Sequence, residues 1–214
     1  MRHRLRDRFR RDHATTGGRR SQRGRERGAV VVEAAIILPL VVLVVFGLVE
    51  FGLVFKDELT VSHATGATAR AGAAVPKQPD YRDQMIDELE DRLTGVSVSA
   101  NDRLVIYKAD PNSDSGLPVG ATDQSEIWSA CGGVADDCTR YEYDGSAWVQ
   151  NGPAEWTADE QSACRDATLD QMGVYLDVTH DYITGFLGTG SRRVTDRSVY
   201  SLEPLLPGTC EPTP

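Results

Sequence analysis

Gly28 closes an arginine-rich stretch, Ala29 opens an apolar one, and Glu33 stands four residues after Ala29. A carboxylate inside an apolar helix costs about 2.5–3.5 kcal/mol at the bilayer centre and less near its surface. Something must offset that cost. Cleavage between Gly28 and Ala29 would create an ammonium one helical turn from Glu33, because positions i and i+4 share a face and an acid in the first turns suits the helix dipole. The same ammonium on a neighbouring chain is the other available partner, and that pairing would set register between helices packed side by side. Two more residues of this stretch are candidates for helix assembly. Pro39 removes one helical hydrogen bond and is expected to bend the helix, which membrane helices tolerate when neighbours satisfy the freed carbonyl. Glu50 lies seventeen residues after Glu33, about 25 Å along a helix axis. It is expected to be solvated at the outer headgroups, with an interaction role as the alternative.

The element that positions these residues is a long apolar segment. Residues 34–49 are sixteen consecutive positions without a charge or strong polar group, and the apolar run extends on both sides to cover 29–55. A bilayer core of about 30 Å needs about 20 helical residues. A soluble core helix would carry a polar face, and this one has none. The segment reads as a single transmembrane helix. Residues 1–28 hold eleven Arg and three acids, net +8, whereas 29–214 carry net −17. Short Arg-rich flanks stay on the cytoplasmic side, so the orientation expected in the cytoplasmic membrane is N-terminus in, C-terminal head out. The overall negative charge conceals this division. The tail, residues 1–26, has too few apolar residues to fold alone and is expected to be disordered. Its arginines lack the aromatic interleaving of a nucleic-acid site, and attraction to anionic lipid accounts for them more simply. No nucleic-acid partner is expected.

The junction carries a resemblance. Glycine, four apolar residues and a glutamate resemble the processing site of type IV prepilins and pseudopilins. More closely, residues 27–73 resemble the N-terminal signature of the TadE-like family, associated with tight-adherence pilus systems. The matching positions are Arg27-Gly28, Val32-Glu33, Leu38-Pro39, Gly47, Glu50-Phe51-Gly52 and Ala69-Arg70. The chain departs from the family at Ala34, where a bulky aromatic is usual. The resemblance implies a pseudopilin or minor pilin, cut after Gly28 by a membrane-embedded aspartyl prepilin peptidase. Its implied partners are that peptidase, other pilin or pseudopilin subunits and pilus assembly proteins, and its destination includes a surface filament. Two competing readings remain at this point. An ordinary secretory signal could be cleaved among the small residues 64–74, although two embedded glutamates are foreign to such a segment. An uncleaved anchor could carry a surface binding module or receptor.

Three domains follow: a basic leader, 1–28; a transmembrane and stalk helix, 29–74; and an extracytoplasmic head, 75–214. Residues 59–74 are rich in Ala, Gly, Thr and Ser, and such small side chains allow another helix to approach closely. The fold class is α+β, a long helix carrying a small head with an antiparallel sheet, in a pilin-like layout. Within the head, periodicity predicts an amphipathic helix over 80–93 and strands at 96–98 and 103–107. A hairpin is predicted at 140–143 against 147–149, a helix over 158–171, and two longer strands at 174–182 and 193–202. Residues 110–156 otherwise read as an elaborated loop.

All four cysteines, Cys131, Cys138, Cys164 and Cys210, lie in the head. An even number in the exported part fits two disulfides. Of three possible pairings, Cys131–Cys138 as a local clasp with Cys164–Cys210 at the C-terminus is favoured. Close cysteine pairs of the zinc kind are absent, so no metal is expected. His180 sits in an alternating strand and reads as a surface or core-edge residue, and His63 as exposed. No nucleophile elbow, HExxH helix or phosphate loop is present. The chain is expected to be neither an enzyme nor a cofactor carrier. Trp128, Trp148 and Trp156 are candidates for partner contact or for core packing.

Overall fold

The computed structural model describes residues 20–133, 137–152, 156–165, 168–183 and 190–206. The chain divides into two compact units, Met1–Phe46 and Gly47–Pro214. One helix, α1 (Arg20–Ala74), supplies residues to both. It begins inside the basic tail, where the sequence suggests disorder. Arg, Gln and Glu are good helix formers, and propagation from a nucleated apolar segment needs only one new bond per residue. The helix also continues through Pro39. In the first unit every side chain described, from 28 to 46, is exposed.

The second unit is built on a five-stranded antiparallel sheet in the order β3-β2-β1-β4-β5. Its strands are β1 (Arg103–Lys108), β2 (Cys138–Tyr143), β3 (Trp148–Gln150), β4 (Gln171–Asp181) and β5 (Ser191–Ser201). β4 and β5 pair along their whole length, from Gln171 opposite Ser201 to Asp181 opposite Ser191. Alternation decides the two faces. Leu104, Ile106, Val174, Leu176 and Val178 join the main core with α1 and with α2 (Tyr81–Arg92), which buries Tyr81, Met85 and Leu89 as its spacing predicts. Val105, Tyr107 and Tyr175 point to the opposite face, where the 109–131 segment and a short helix, α3 (Ile127–Ala130), cover them.

The later part of α1 is a core helix rather than a free stalk. Glu50, Val54, Val61, Ala64, Thr65, Thr68, Ala69 and Ala73 are all buried. Their steps of three and four residues trace one face. The small residues therefore serve the protein's own sheet: a Cβ added at Gly72 would collide with Met85 and Met172.

Two elements differ from the sequence reading. Residues 96–98 form no strand. The helix predicted over 158–171 is reduced to a 3₁₀ turn, Ala158–Glu160, with a capping box between Thr157 and Glu160. Beyond the turn, the Gln161 side chain accepts from Lys77 N at 2.7 Å, and Asp170 takes Ser162 N at 2.8 Å. The backbone here is bonded elsewhere as well, with Leu205 N donating to Ala163 O and Leu202 N to Asp170 O, in place of a helical ladder. Cys164 then makes a single bridge with Leu205. The tryptophans are mostly core: Trp148 and Trp156 are buried, and Trp128 lies half-buried between the guanidinium groups of Arg103 and Arg140, at 4.8 and 5.0 Å.

Gly173 faces Tyr107 across the β1–β4 seam, and an added Cβ would enter the phenol ring. The ring is held in place, since its hydroxyl donates to Gly116 O at 3.0 Å. Gly173→Ala should therefore destabilise the protein by about 1–3 kcal/mol, the usual cost of overpacking. Gly66→Ala, whose new methyl would meet Ser198 Oγ at ordinary contact distance, should stay within about 1 kcal/mol of the parent. Urea unfolding of the full chain in detergent, followed by tryptophan fluorescence, measures both.

Candidate functional site

The residues singled out in the sequence fall into two separate environments. Gly28, Ala29, Glu33 and Pro39 belong to the first unit and are exposed. A Cβ at Gly28 would meet no side chain within 4 Å, and the Gly28–Ala29 bond lies within α1. Around Glu33, the side chains of Val30, Val31, Ile36 and Ile37 are about half to two-thirds exposed. So much uncovered apolar surface is foreign to a water-soluble monomer. Among the described residues, one helix is long and apolar enough to cross a membrane, over Gly28–Ala74. That helix is compatible with a single-pass anchor.

Glu50 stands elsewhere, in the second unit, and the solvated carboxylate expected from the sequence is not what the fold provides. Its side chain is fully buried and its Oε1 accepts from Ile183 N at 2.8 Å. The reason is the face it occupies. Glu50, Val54, Asp57 and Val61 step by four, three and four residues, so Glu50 points with the buried stripe toward the β4 end. Asp57 on the same stripe lies 2.7 Å from Nδ1 of His180, a buried residue of β4. Glu58 pairs with Arg192 of β5 at 3.0 Å. Three carboxylates of α1 thus hold the β4–β5 hairpin by one backbone and two side-chain contacts. His180, which alternation placed at a surface or core edge, is a buried partner of the helix. Its ligand, Asp57, is 123 positions away; no local spacing could have revealed it.

A second polar cluster lies where β1, β4 and β5 meet. Asp102 is fully buried and accepts from Ser99 N at 2.8 Å, Thr179 N at 2.9 Å and Thr179 Oγ1 at 2.7 Å. Arg193 reaches Thr179 Oγ1 at 3.0 Å and pairs with Asp177 at 2.9 Å. Burial pushes the Asp102 carboxyl above its usual range, outweighing those donors and the nearby Arg193 charge. Burial likewise raises Asp177, against the pull of Arg193 and Arg103. Burial pushes the Tyr141 and Tyr175 phenols up to about 12, which keeps both protonated at neutral pH. Among the described residues, no three His, Cys, Asp or Glu side chains gather to hold a metal ion.

Cys131 and Cys138 are joined by a disulfide, with Cα atoms 5.7 Å apart. It ties the end of α3 to the start of β2. Cys164 is disulfide-bonded as well, while Cys210 lies outside the described residues. His63 is exposed.

Against this geometry, the comparison with protein families is decisive for one segment. Residues 28–70 match the family model of the TadE-like protein. The match begins at Gly28, includes Glu33, Pro39 and Glu50, and bears out the resemblance seen in the signature residues. Over that segment the chain is similar to the TadE-like family, which is associated with tight-adherence pilus systems. No curated protein and no solved structure matches the chain.

Asp102 yields a test of the buried cluster. A carboxyl whose folded value is raised binds its proton more tightly in the fold than in the unfolded chain. Its contribution is fully present below the unfolded carboxylate value, about 3.9, and is lost as pH rises through the folded value. Asp102→Asn cannot ionise, so the stability advantage of the parent over this variant should be largest near pH 4 and shrink toward pH 7. Urea midpoints at the two pH values measure it, and an advantage that grows with pH would show that the anion is the favoured form.

Proposed function

We propose that this TadE-like protein is a pseudopilin or minor pilin of a tight-adherence pilus, processed after Gly28 by a prepilin peptidase. The observation that carries the reading is the family match over residues 28–70, which starts at Gly28. The mechanism is assembly, not catalysis. The precursor waits in the cytoplasmic membrane with its basic leader inside and its head outside, in keeping with the positive-inside rule. The peptidase frees the Ala29 ammonium. Glu33, a carboxylate on an otherwise apolar surface, then gains by pairing with that ammonium, on its own chain or on a neighbour. Because an unpaired charge in lipid costs more than a paired one, the pairing selects the register of adjacent helices. The partners are other pilin or pseudopilin subunits and the assembly proteins of the system.

The N-terminus of the protein recovered from cells tests the processing step. Mass spectrometry should find a chain beginning at Ala29, and Gly28→Leu should leave the leader in place. An intact N-terminus in the parent would favour an uncleaved anchor whose head is a surface binding module or receptor. A start near Ala74 would indicate ordinary secretion and remove both. Glu33→Ala should leave cleavage intact and lower subunit cross-linking in the membrane.

A further inference from the structure

The sequence places the outer edge of the bilayer at Glu50, the first charge after the apolar run. The structure removes the reason for that placement. Glu50 is fully buried, and its carboxylate is satisfied inside the protein by the Ile183 N–H. A carboxyl buried and bonded in this way does not face headgroup water. Beyond it, Phe51 is 66% and Phe55 52% exposed. They are four residues apart and so share a face, about 100° round the helix from Glu50 and Val54 respectively. The first helix charge that does reach solvent is Lys56, whose side chain is 54% exposed.

We propose, resting on the membrane-anchor reading above, that the outer bilayer surface meets this protein at Lys56, and that the Ile183 end of β4 is seated in the lipid interface. Lengths decide between the two placements. Residues 34–49 are sixteen positions, about 24 Å of helix, and fall short of a hydrocarbon core of about 30 Å. Residues 34–55 give about 33 Å and fill it with a modest tilt. Exposed aromatics at 51 and 55 then lie in lipid, where they cost nothing, instead of in water.

The placement draws the head down with it. Ile183 is bonded to Glu50, which lies six positions before Lys56 and so about 9 Å deeper along the helix. At that depth, the 74% exposure of the Ile183 side chain becomes contact with acyl chains. Tyr182, packed edge-on against His180 with centroids 5.8 Å apart, stands beside it, and tyrosine is enriched at this boundary. Charge limits the immersion. Asp181 is exposed, and the Arg192–Glu58 pair lies at the level of Lys56 and belongs among headgroups. The occupant is thus the outer lipid interface, reached by the last residues of β4 and not by the sheet as a whole.

Site-directed labelling measures the depth. The described cysteines are all disulfide-bonded, so a single introduced thiol can carry an environment-sensitive fluorophore. The full chain would be reconstituted in phosphatidylcholine–phosphatidylglycerol vesicles with nitroxide lipids, labelled in turn at Phe55→Cys, Ile183→Cys and Asp181→Cys. Val149→Cys, exposed on β3, is the control. Alkaline carbonate extraction reports the anchor independently. Labels at 55 and 183 should be quenched several-fold more than at 149, with 181 quenched by headgroup nitroxides. Retention in carbonate with 183 and 181 no more quenched than 149 would overturn the seating and leave the anchor standing. Quenching that is absent at 55 would return the boundary to Glu50. Loss from the vesicles in carbonate would overturn the anchor reading itself and the seating with it.

Discussion

A carboxylate withdrawn from water needs a partner within the protein, and Glu50 finds it in the backbone of Ile183. Much of the second unit depends on meeting that need. An unpaired buried charge would cost several kcal/mol, whereas one matched by hydrogen bonding is tolerated. The match requires the chain at the end of β4 to reach Glu50, at the start of the buried part of α1. It is reinforced one turn and two turns later, by Val54 in the core and by Asp57 against His180. The hairpin is therefore registered on the helix by polar contacts at one end. At the other end, close packing does the same work, where Gly72 lets Met85 and Met172 approach.

Function is divided along the chain accordingly. The exposed half of α1 offers nothing to water and has everything to gain from lipid and from other helices. The buried half belongs to the head. Since α1 supplies residues to both, the segment that carries the TadE-like signature is also a structural member of the second unit. The family match ends at residue 70, within the core helix and short of the sheet. What the signature specifies is thus a helix with two faces of different purpose. The strands that complete the head are outside it.

The legible parts of the sequence were those with a short-range cause. The apolar run, the amphipathic period of α2, the Asp144-Gly145 turn of the β2–β3 hairpin and the alternation of β4 and β5 each rest on neighbours within a few positions. So does the Cys131–Cys138 link. What sequence could not show was which face of α1 meets the sheet. Ala64, Thr68 and Gly72 allow an intermolecular helix or an intramolecular sheet equally well, and Glu50 looks the same solvated or buried. Asp57 and His180 illustrate the limit, for neither has any local feature that names the other. The lost helix after Glu160 has a different cause: its capping box is real, but Gln161 and Asp170 spend their side chains on other parts of the backbone.

The two edges of the sheet differ in length, and so in what each offers a neighbouring strand. β3 is only three residues long and offers little for another chain to extend. β5 is eleven residues long, and a bare edge of that length is a template for strand addition. Its arginines are engaged within the chain, Arg192 with Glu58, Arg193 with Asp177 and Arg197 with the carbonyls of Ser115 and Gly116, so length and not free positive charge is what sets this edge apart.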